Sequence, residues 1–201
     1  MAQPVVISAA VEGLVDEAAV RRLIASAGGY PGPVYGKNGK SALKTRINGF
    51  NNAARHAPWM ILVDLNREED CAPPLRQSWL PHPAPMLCFR IAVRQVEAWL
   101  MADAEALSNY LGVAGKVIPG NPESLPNAKV AMVNVARRSR RAAIRQDMLP
   151  REGSGRSVGP AYTSRLIEYA ETRWRPEVAA QRSDSLRRAI ACLERLIEDA
   201  G

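Results

Sequence analysis

Two apolar runs that each end in an acidic residue constrain the fold of this chain most strongly. Residues 5–13 read Val-Val-Ile-Ser-Ala-Ala-Val-Glu-Gly, and residues 60–66 read Met-Ile-Leu-Val-Asp-Leu-Asn. Continuous runs rich in Val and Ile are typical of parallel strands that are buried on both faces. Because ligands of such sheets gather beyond the carboxyl ends of the strands, we expect Glu12 and Asp64 to lie together at that edge, with Asn66 nearby.

The first hundred residues alternate predicted strands with predicted helices, which favours an α/β fold with a mostly parallel sheet flanked by helices. The predicted strands are residues 5–11, 59–63 and 86–93, with a short strand at 34–35 inside a Gly- and Pro-rich loop at 30–40. The predicted helices of this part are residues 17–27, capped by Asp16, then 41–56, and one or two helices within 95–111. Residues 65–85 contain five prolines and are predicted to be a long connection.

Beyond residue 112 the pattern changes to helices and loops. Helices are predicted at 128–144, 163–174 and 183–200, the last capped by Ser183 or Asp184. We therefore expect an α/β core over residues 1–111 and a helical annex over residues 112–201 that packs on it.

The amino-acid composition limits the kinds of function that this chain can have. Twenty-seven Lys and Arg against twenty Asp and Glu give a net charge of +7, which favours a polyanionic partner such as nucleic acid over a neutral one. Three cysteines without a Cys-x-x-Cys pair and two isolated histidines indicate neither a disulfide framework nor a zinc site, so we expect reduced thiols. With no secretory pattern and no long apolar run, we expect a soluble cytoplasmic protein without a membrane span.

Oxygen ligands at a strand edge are suited to magnesium, which needs few protein oxygens and keeps several waters. Glu12, Asp64 and Asn66 are the predicted metal ligands, because Asp64 and Asn66 would share one side if their strand continues. Each residue alone is equally compatible with a helix cap, a turn or a solvated acid.

These residues resemble a known family. Glu12 after a first apolar strand, followed later by Asp64-Leu-Asn66, resembles the Toprim domain of topoisomerases, bacterial primases and OLD-type nucleases. A wider frame is similar to an uncharacterised bacterial branch of Toprim-like proteins, and it consists of Val-Glu-Gly-Leu-Val-Asp-Glu (11–17), Leu-Val-Asp-Leu-Asn (62–66) and Val-Glu-Ala-Trp-Leu-Met-Ala-Asp (96–103). The resemblance covers roughly the first 110 residues, and it departs from the family pattern at Asn66, where a second Asp is usual.

The resemblance implies a magnesium- or manganese-dependent nucleic-acid phosphodiesterase, with a place in defence against foreign nucleic acid. Glu12, Asp64 and Glu97 would be its catalytic residues. Because Asn66 lacks a negative charge, metal binding would be weaker unless Glu68, Glu69 or Asp70 compensates. The alternative is a non-catalytic binding or regulatory subunit that works with a separately encoded ATPase, as OLD-type proteins accompany an ATPase domain.

Glu97 and Asp103 follow the strand at 86–93 but lie about 120° apart around a helix. Glu97 is the better candidate for the acidic cluster, although pairing with Arg90 or Arg94 would explain it equally well, and Asp103 is the predicted cap of a helix beginning at Ala104.

The run Arg137-Arg138-Ser139-Arg140-Arg141, followed by Arg145, is the densest positive segment. On one helix, Arg137, Arg141 and Arg145 would align at intervals of four, and Arg138 would lie two turns from Arg145. Guanidinium groups suit phosphate oxygens, so these residues are the predicted nucleic-acid contact, with a solvated helix face as the alternative.

The segment Gly36-Lys-Asn-Gly-Lys-Ser41 precedes a predicted helix but lacks the first glycine of a Walker motif. A surface loop is the favoured interpretation, and phosphate binding through its amides, Lys37 and Lys40 is the weaker one.

Overall fold

A computed structural model describes residues 4–66 and 69–201. Within these residues a four-stranded sheet has the order β2-β1-β3-β4, and all three strand pairs are parallel. The strands are β1 (Val6–Val11), β2 (Tyr30–Gly36), β3 (Trp59–Asp64) and β4 (Leu87–Ala92). The predicted α/β class with a parallel sheet flanked by helices is confirmed.

Alternation along the two central strands explains why the apolar runs form this sheet. Ile7, Ala9 and Val11 of β1 pack with Met60 and Leu62 of β3 in one hydrophobic cluster. The intervening side chains point to the other face and join a second cluster, which includes Ala10, Ile61 and Val63. A strand with two covered faces needs apolar residues at every position, so the runs are continuous.

Helices surround the sheet. Those of the first part are α1 (Leu14–Ser26), α2 (Lys40–Ala53), α3 (Ala72–Trp79), α4 (Val96–Ala102) and α5 (Ala104–Leu111). Those of the second part are α6 (Ala128–Arg137), α7 (Ala142–Met148), α8 (Tyr162–Thr172), α9 (Pro176–Ala179) and α10 (Asp184–Ala200), with single 3-10 turns at Gly115–Val117, Pro122–Ser124 and Ala180–Arg182. In the described residues, no helix is long and apolar enough to cross a membrane.

The helices after residue 112 pack directly against the sheet and its first helices. Helix α8 lies on α1, α10 lies along the edge strand β4, and α6 contacts α4. Leu23 of α1, Trp99 of α4 and Leu193 of α10 belong to one continuous cluster. The division into a core and an annex at residue 111 stays a prediction.

Two proline-containing segments are more regular than predicted. The loop expected at 30–40 contains the whole of β2, which tolerates Pro31 and Pro33 because β2 is an edge strand and has a bulge opposite Ile7 to Ala9. The expected connection at 65–85 contains α3, whose first turn accepts Pro73 and Pro74 because the amides of a first turn have no helical partner.

Two helix predictions were wrong, one in where the helix begins and one in its continuity. Helix α1 begins at Leu14 with Gly13 as its N-cap, so Asp16 lies inside the first turn and does not cap it. The helix predicted at 128–144 is broken into α6 and α7, because the buried Ser139 hydroxyl donates to the Leu111 carbonyl and accepts from the Arg141 amide between them. The predicted caps Asp103 and Ser183 are confirmed, since their side chains accept hydrogen bonds from the amides of Ala106 and Leu186.

Candidate acidic site at the carboxyl edge of the sheet

Glu12 and Asp64 meet where the adjacent strands β1 and β3 end. The Asp64 amide donates a hydrogen bond of 2.9 Å to Glu12 Oε1, so the side chain of one acid holds the backbone of the other. Asp64 Oδ1 accepts a second bond of 2.9 Å from the amide of Val96, the first residue of α4. The sequence prediction that these two acids lie together is therefore supported by direct contacts.

Asp16 is a third acid at this edge, and the sequence analysis missed it as a site residue. Its side chain is buried (7% exposed), and its Oδ1 has no hydrogen-bond partner among the described residues. Burial, followed by the nearby charges of Glu97 and Glu12, raises the pKa of Asp16 from 3.8 to about 7, against an opposing effect of Lys129. The sequence does contain a signal for this role. Asp16 follows the Glu-Gly pair after β1 by only three residues, so the first helical turn that carries it begins at the same sheet edge as Glu12.

Glu97 completes the group from the first turn of α4. It is 3% exposed, and its Oε1 accepts a hydrogen bond of 3.2 Å from the Tyr162 hydroxyl. Lys129 Nζ lies 3.7 Å from the same oxygen, whereas pairing with Arg90 or Arg94 was the alternative considered from the sequence. Burial, together with the charge of Glu97 and its hydrogen bond, raises the pKa of Tyr162, so its hydroxyl stays a donor to this carboxylate.

The electrostatics of the cluster oppose full ionisation. Burial raises the pKa of Asp64 well above 3.8, and the charges of Asp16, Glu97 and Glu12 raise it further. The hydrogen bond from the Val96 amide acts in the opposite direction. Carboxylates that are shielded from water repel one another strongly when all are ionised. A bound cation would therefore lower the free energy of the ionised cluster.

A cavity of about 260 Å³ opens over these acids. Segments far apart in the chain form its walls: residues 13–16 from the β1 end, Asp64, Val96 and Glu97 from the middle, and Lys129, Val158, Tyr162 and Thr163 from beyond residue 112. The helical part of the chain therefore builds one side of the candidate site.

Asn66 occupies a different position from the one that strand continuation implies. Strand β3 ends at Asp64, and Asn66 adopts a left-handed conformation with φ of 54°. Its Oδ1 accepts a hydrogen bond of 3.2 Å from Gln95 Nε2. Asn66 is not among the described residues that line the cavity, so its role as a metal ligand stays a prediction.

The acids suit a divalent cation in chemistry, but they are not arranged as a finished metal cage. Within the described residues, no group of three or more acidic, histidine or cysteine side chains is already placed to hold a metal ion. The unpartnered Oδ1 of Asp16 is nevertheless a hard oxygen that faces acidic neighbours, as a magnesium ligand would be. Among the acids predicted to compensate for Asn66, Glu68 lies outside the described residues, and Glu69 accepts a bond from Arg94 through its backbone carbonyl.

The predicted basic strip does not lie on one helix. Arg137 ends α6 and Arg138 follows it, whereas Arg141 precedes α7 and Arg145 lies within α7. The Arg141 guanidinium donates 2.8 Å to the Tyr110 carbonyl, and that of Arg145 donates 2.5 Å to the Ser139 carbonyl. The alignment at intervals of four is therefore wrong, and Arg137 and Arg138 are the exposed members of the predicted set that flank the end of α6.

The loop from Gly36 to Lys40 is held by hydrogen bonds to the backbone at the end of β1. The amides of Lys37 and Gly39 donate to the carbonyls of Val11 and Glu12. Gly36 has φ of 90°, and a Cβ there would lie 2.2 Å from the Val11 carbonyl oxygen, so only glycine fits. Lys40 Nζ donates 2.5 Å to the Asp64 carbonyl, which places a positive charge directly behind the acidic edge.

Comparison with known proteins gives no relative from which a function can be transferred. No protein-family model, no curated protein and no solved structure matches this chain significantly.

Proposed function

We propose that this chain is a magnesium- or manganese-dependent nucleic-acid phosphodiesterase with a Toprim-like fold. The observation that carries the proposal is the convergence of Glu12, Asp16, Asp64 and Glu97 at the carboxyl edge of a parallel sheet, beside an open cavity. Open α/β sheets bind ligands at this edge, and clustered carboxylates are the usual protein contribution to phosphoryl-transfer sites.

Asp16, Asp64 and Glu97 are the residues that would hold the cation, because all three line the cavity; Asp16 and Glu97 are buried, and Asp64 is half-buried. When bound, a divalent cation supplies electrophilic stabilisation of a phosphate group. Glu12 has a positioning role, since its carboxylate fixes the Asp64 backbone. The Val96 amide orients the Asp64 carboxylate, and Tyr162 orients that of Glu97.

The surroundings of the cavity favour a polyanion over a neutral substrate. Lys129 is 46% exposed beside Glu97, so its ammonium group can turn from this carboxylate to a phosphate oxygen. Arg137 and Arg138 lie at the far end of the same helix, α6. With a net charge of +7, these cations give the chain an attraction for a phosphate backbone that carries no sequence specificity.

Cleavage of labelled single- and double-stranded DNA and RNA, with magnesium or manganese, tests the proposal. Asp64→Asn is the sharpest variant, because its amide oxygen can still accept from the Val96 amide while the negative charge is lost. We expect metal-dependent cleavage by the wild type and at least a hundredfold loss in the variant, roughly the effect of removing a key electrostatic group.

Asp199→Asn is the matched control, since it makes the same substitution at an exposed carboxylate near the end of α10, outside the cavity. It should retain the wild-type rate. Equal cleavage by wild type and Asp64→Asn would overturn the assignment of the site, and no cleavage of any substrate by the wild type would favour the non-catalytic binding subunit.

A further inference from the structure

Two of the three cysteines, distant in sequence, come together where α10 packs against β4. Cys88 lies in the edge strand β4 and is 1% exposed, and Cys192 lies in α10, which packs along that strand. Both side chains belong to the same cluster, Cys88 as a buried member and Cys192 as a partly exposed one. Each thiol acts electrostatically on the other, so the two lie close together.

Arginine side chains surround this pair. Arg90 from β4, Arg195 from α10 and Arg76 from α3 act electrostatically on Cys192. Arg90 Nε is buried and has no hydrogen-bond partner among the described residues, so a polar donor beside the pair is unused. Arg76 and Arg90 also line a cavity of about 460 Å³ between α3, β4 and the start of α10.

The two thiols differ in acidity. The hydrogen bond from Cys88, followed by the charges of Arg90, Arg195 and Arg76, lowers the pKa of Cys192 to about 6. Burial, followed by the contact with Cys192, raises the pKa of Cys88 well above 9.0. This is the asymmetry of a reactive thiolate next to a second thiol that can resolve its oxidised form.

We propose that Cys88 and Cys192 are a redox-active pair that forms an intramolecular disulfide when a hydroperoxide is the oxidant. The Cys192 thiolate attacks a peroxide oxygen, the O–O bond breaks, and with hydrogen peroxide the leaving hydroxide is protonated to water, which leaves Cys192 as a sulfenic acid. Cys88 then loses its proton and attacks the Cys192 sulfur, the S–O bond breaks, and a second water leaves. Two thiols and one hydrogen peroxide thus give one disulfide and two waters.

The bond would fasten α10 to the edge strand that leads to the candidate site. Strand β4 ends at Ala92, and the chain reaches Val96 and Glu97 a few residues later. The Val93 amide already donates to Ser185 Oγ at the start of α10, so the helix and this strand end are in contact when the thiols are reduced. The inference does not depend on the proposed phosphodiesterase activity.

Hydrogen peroxide treatment of a Cys71→Ser protein tests the pair, because Cys71 is exposed and would otherwise form bonds between molecules. We expect the count of free thiols to fall from two to none and the mass of the intact monomer to decrease by two hydrogen atoms. Proteolysis without reductant should give a peptide pair joined through Cys88 and Cys192. The melting temperature should rise and return to its original value after reduction.

Single variants in the Cys71→Ser protein distinguish disulfide formation between Cys88 and Cys192 from separate oxidation of each thiol. Cys88→Ser supplies a hydroxyl that can donate to the Cys192 sulfur, and it should stop the reaction at a sulfenic acid on Cys192, which a 1,3-dicarbonyl probe traps. Cys192→Ser should leave Cys88 reduced at the same peroxide concentration. Two thiols that survive peroxide in the Cys71→Ser protein, or crosslinks that form only between molecules, would overturn the proposal.

Discussion

At the scale of single residues, the raised pKa of Asp16 makes stability depend on pH in a defined direction. A carboxyl whose pKa is 3.8 in the unfolded chain and about 7 in the folded protein binds its proton more tightly when folded. Its stabilising contribution is complete below pH 3.8 and is lost as the pH rises to about 7. We therefore predict that Asp16→Asn is more stable than the wild type at pH 8, by up to about 4 kcal/mol, and similar to it at pH 3.5. Urea unfolding of both proteins at the two pH values measures the difference.

Glu168→Gln is a control of opposite sign for this experiment. Hydrogen bonds from Tyr110 and Arg165 lower the pKa of Glu168, so its contribution is present at neutral pH and lost as the pH falls. This variant should be less stable than the wild type at pH 8. Parallel pH profiles for wild type and Asp16→Asn would contradict the account of Asp16.

The same residues show which parts of the candidate site can be predicted from the sequence. Glu12 and Asp64 were predictable because each follows an apolar run, and the sheet edge brings run ends together. Asp16 was assigned as a helix cap because Asp commonly caps, and nothing local reveals that α1 begins two residues earlier. The Cys88 and Cys192 contact depends on how α10 packs against β4, which no spacing in the sequence encodes.

At the scale of elements, the junction of α4 and α5 depends on one buried carboxylate. Asp103 is completely buried, caps α5, and accepts two hydrogen bonds from the Arg175 guanidinium just before α9. We predict that Asp103→Ala lowers the free energy of unfolding by about 2 to 4 kcal/mol, because α5 loses its cap and the Arg175 guanidinium loses two charge-assisted hydrogen bonds. Chemical denaturation measures this loss.

Glu105→Ala is the matched comparison, since Glu105 pairs with the same guanidinium at the same distance of 2.8 Å but is 74% exposed. Its loss should cost no more than about 1 kcal/mol. Similar costs for the two variants would show that burial of Asp103 does not determine its energetic weight.

Some helices and strands could not be predicted from the sequence. Prolines predicted loops at 30–40 and 65–85, yet an edge strand and a helical first turn both tolerate proline. The break between α6 and α7 was invisible because the residues on either side form helices well, and the interruption comes from bonds of Ser139 to the distant Leu111 carbonyl and to the adjacent Arg141. Pairing of β2 with β1 and the bond from Ser139 to Leu111 are long-range interactions that no local pattern shows, whereas the prolines of α3 fit the local rule for a first turn.

At the scale of the whole molecule, the net charge of +7 predicts salt-dependent binding of nucleic acid. Arg138 is exposed at the end of α6, so Arg138→Ala should weaken binding and reduce the slope of log affinity against log salt by about 0.9 for duplex DNA. Fluorescence anisotropy of a labelled duplex over a range of salt concentrations measures the slope. Arg141→Ala is a less specific variant, because Arg141 also holds the Tyr110 carbonyl.

Arg187→Ala provides the control for surface charge alone. Arg187 is exposed on α10, pairs with Asp184 and is not part of the predicted strip. Its removal should leave the slope close to the wild-type value. An unchanged slope for Arg138→Ala would remove that residue from the contact surface.

Calorimetric titration of manganese and magnesium into wild type and Asp64→Asn tests the central claim most directly, because the claim is that the buried acids form a cation site. We predict that the wild type binds manganese and that binding is lost in Asp64→Asn, while Asp199→Asn behaves as the wild type. Absence of binding by the wild type, or equal binding by Asp64→Asn, would contradict the account.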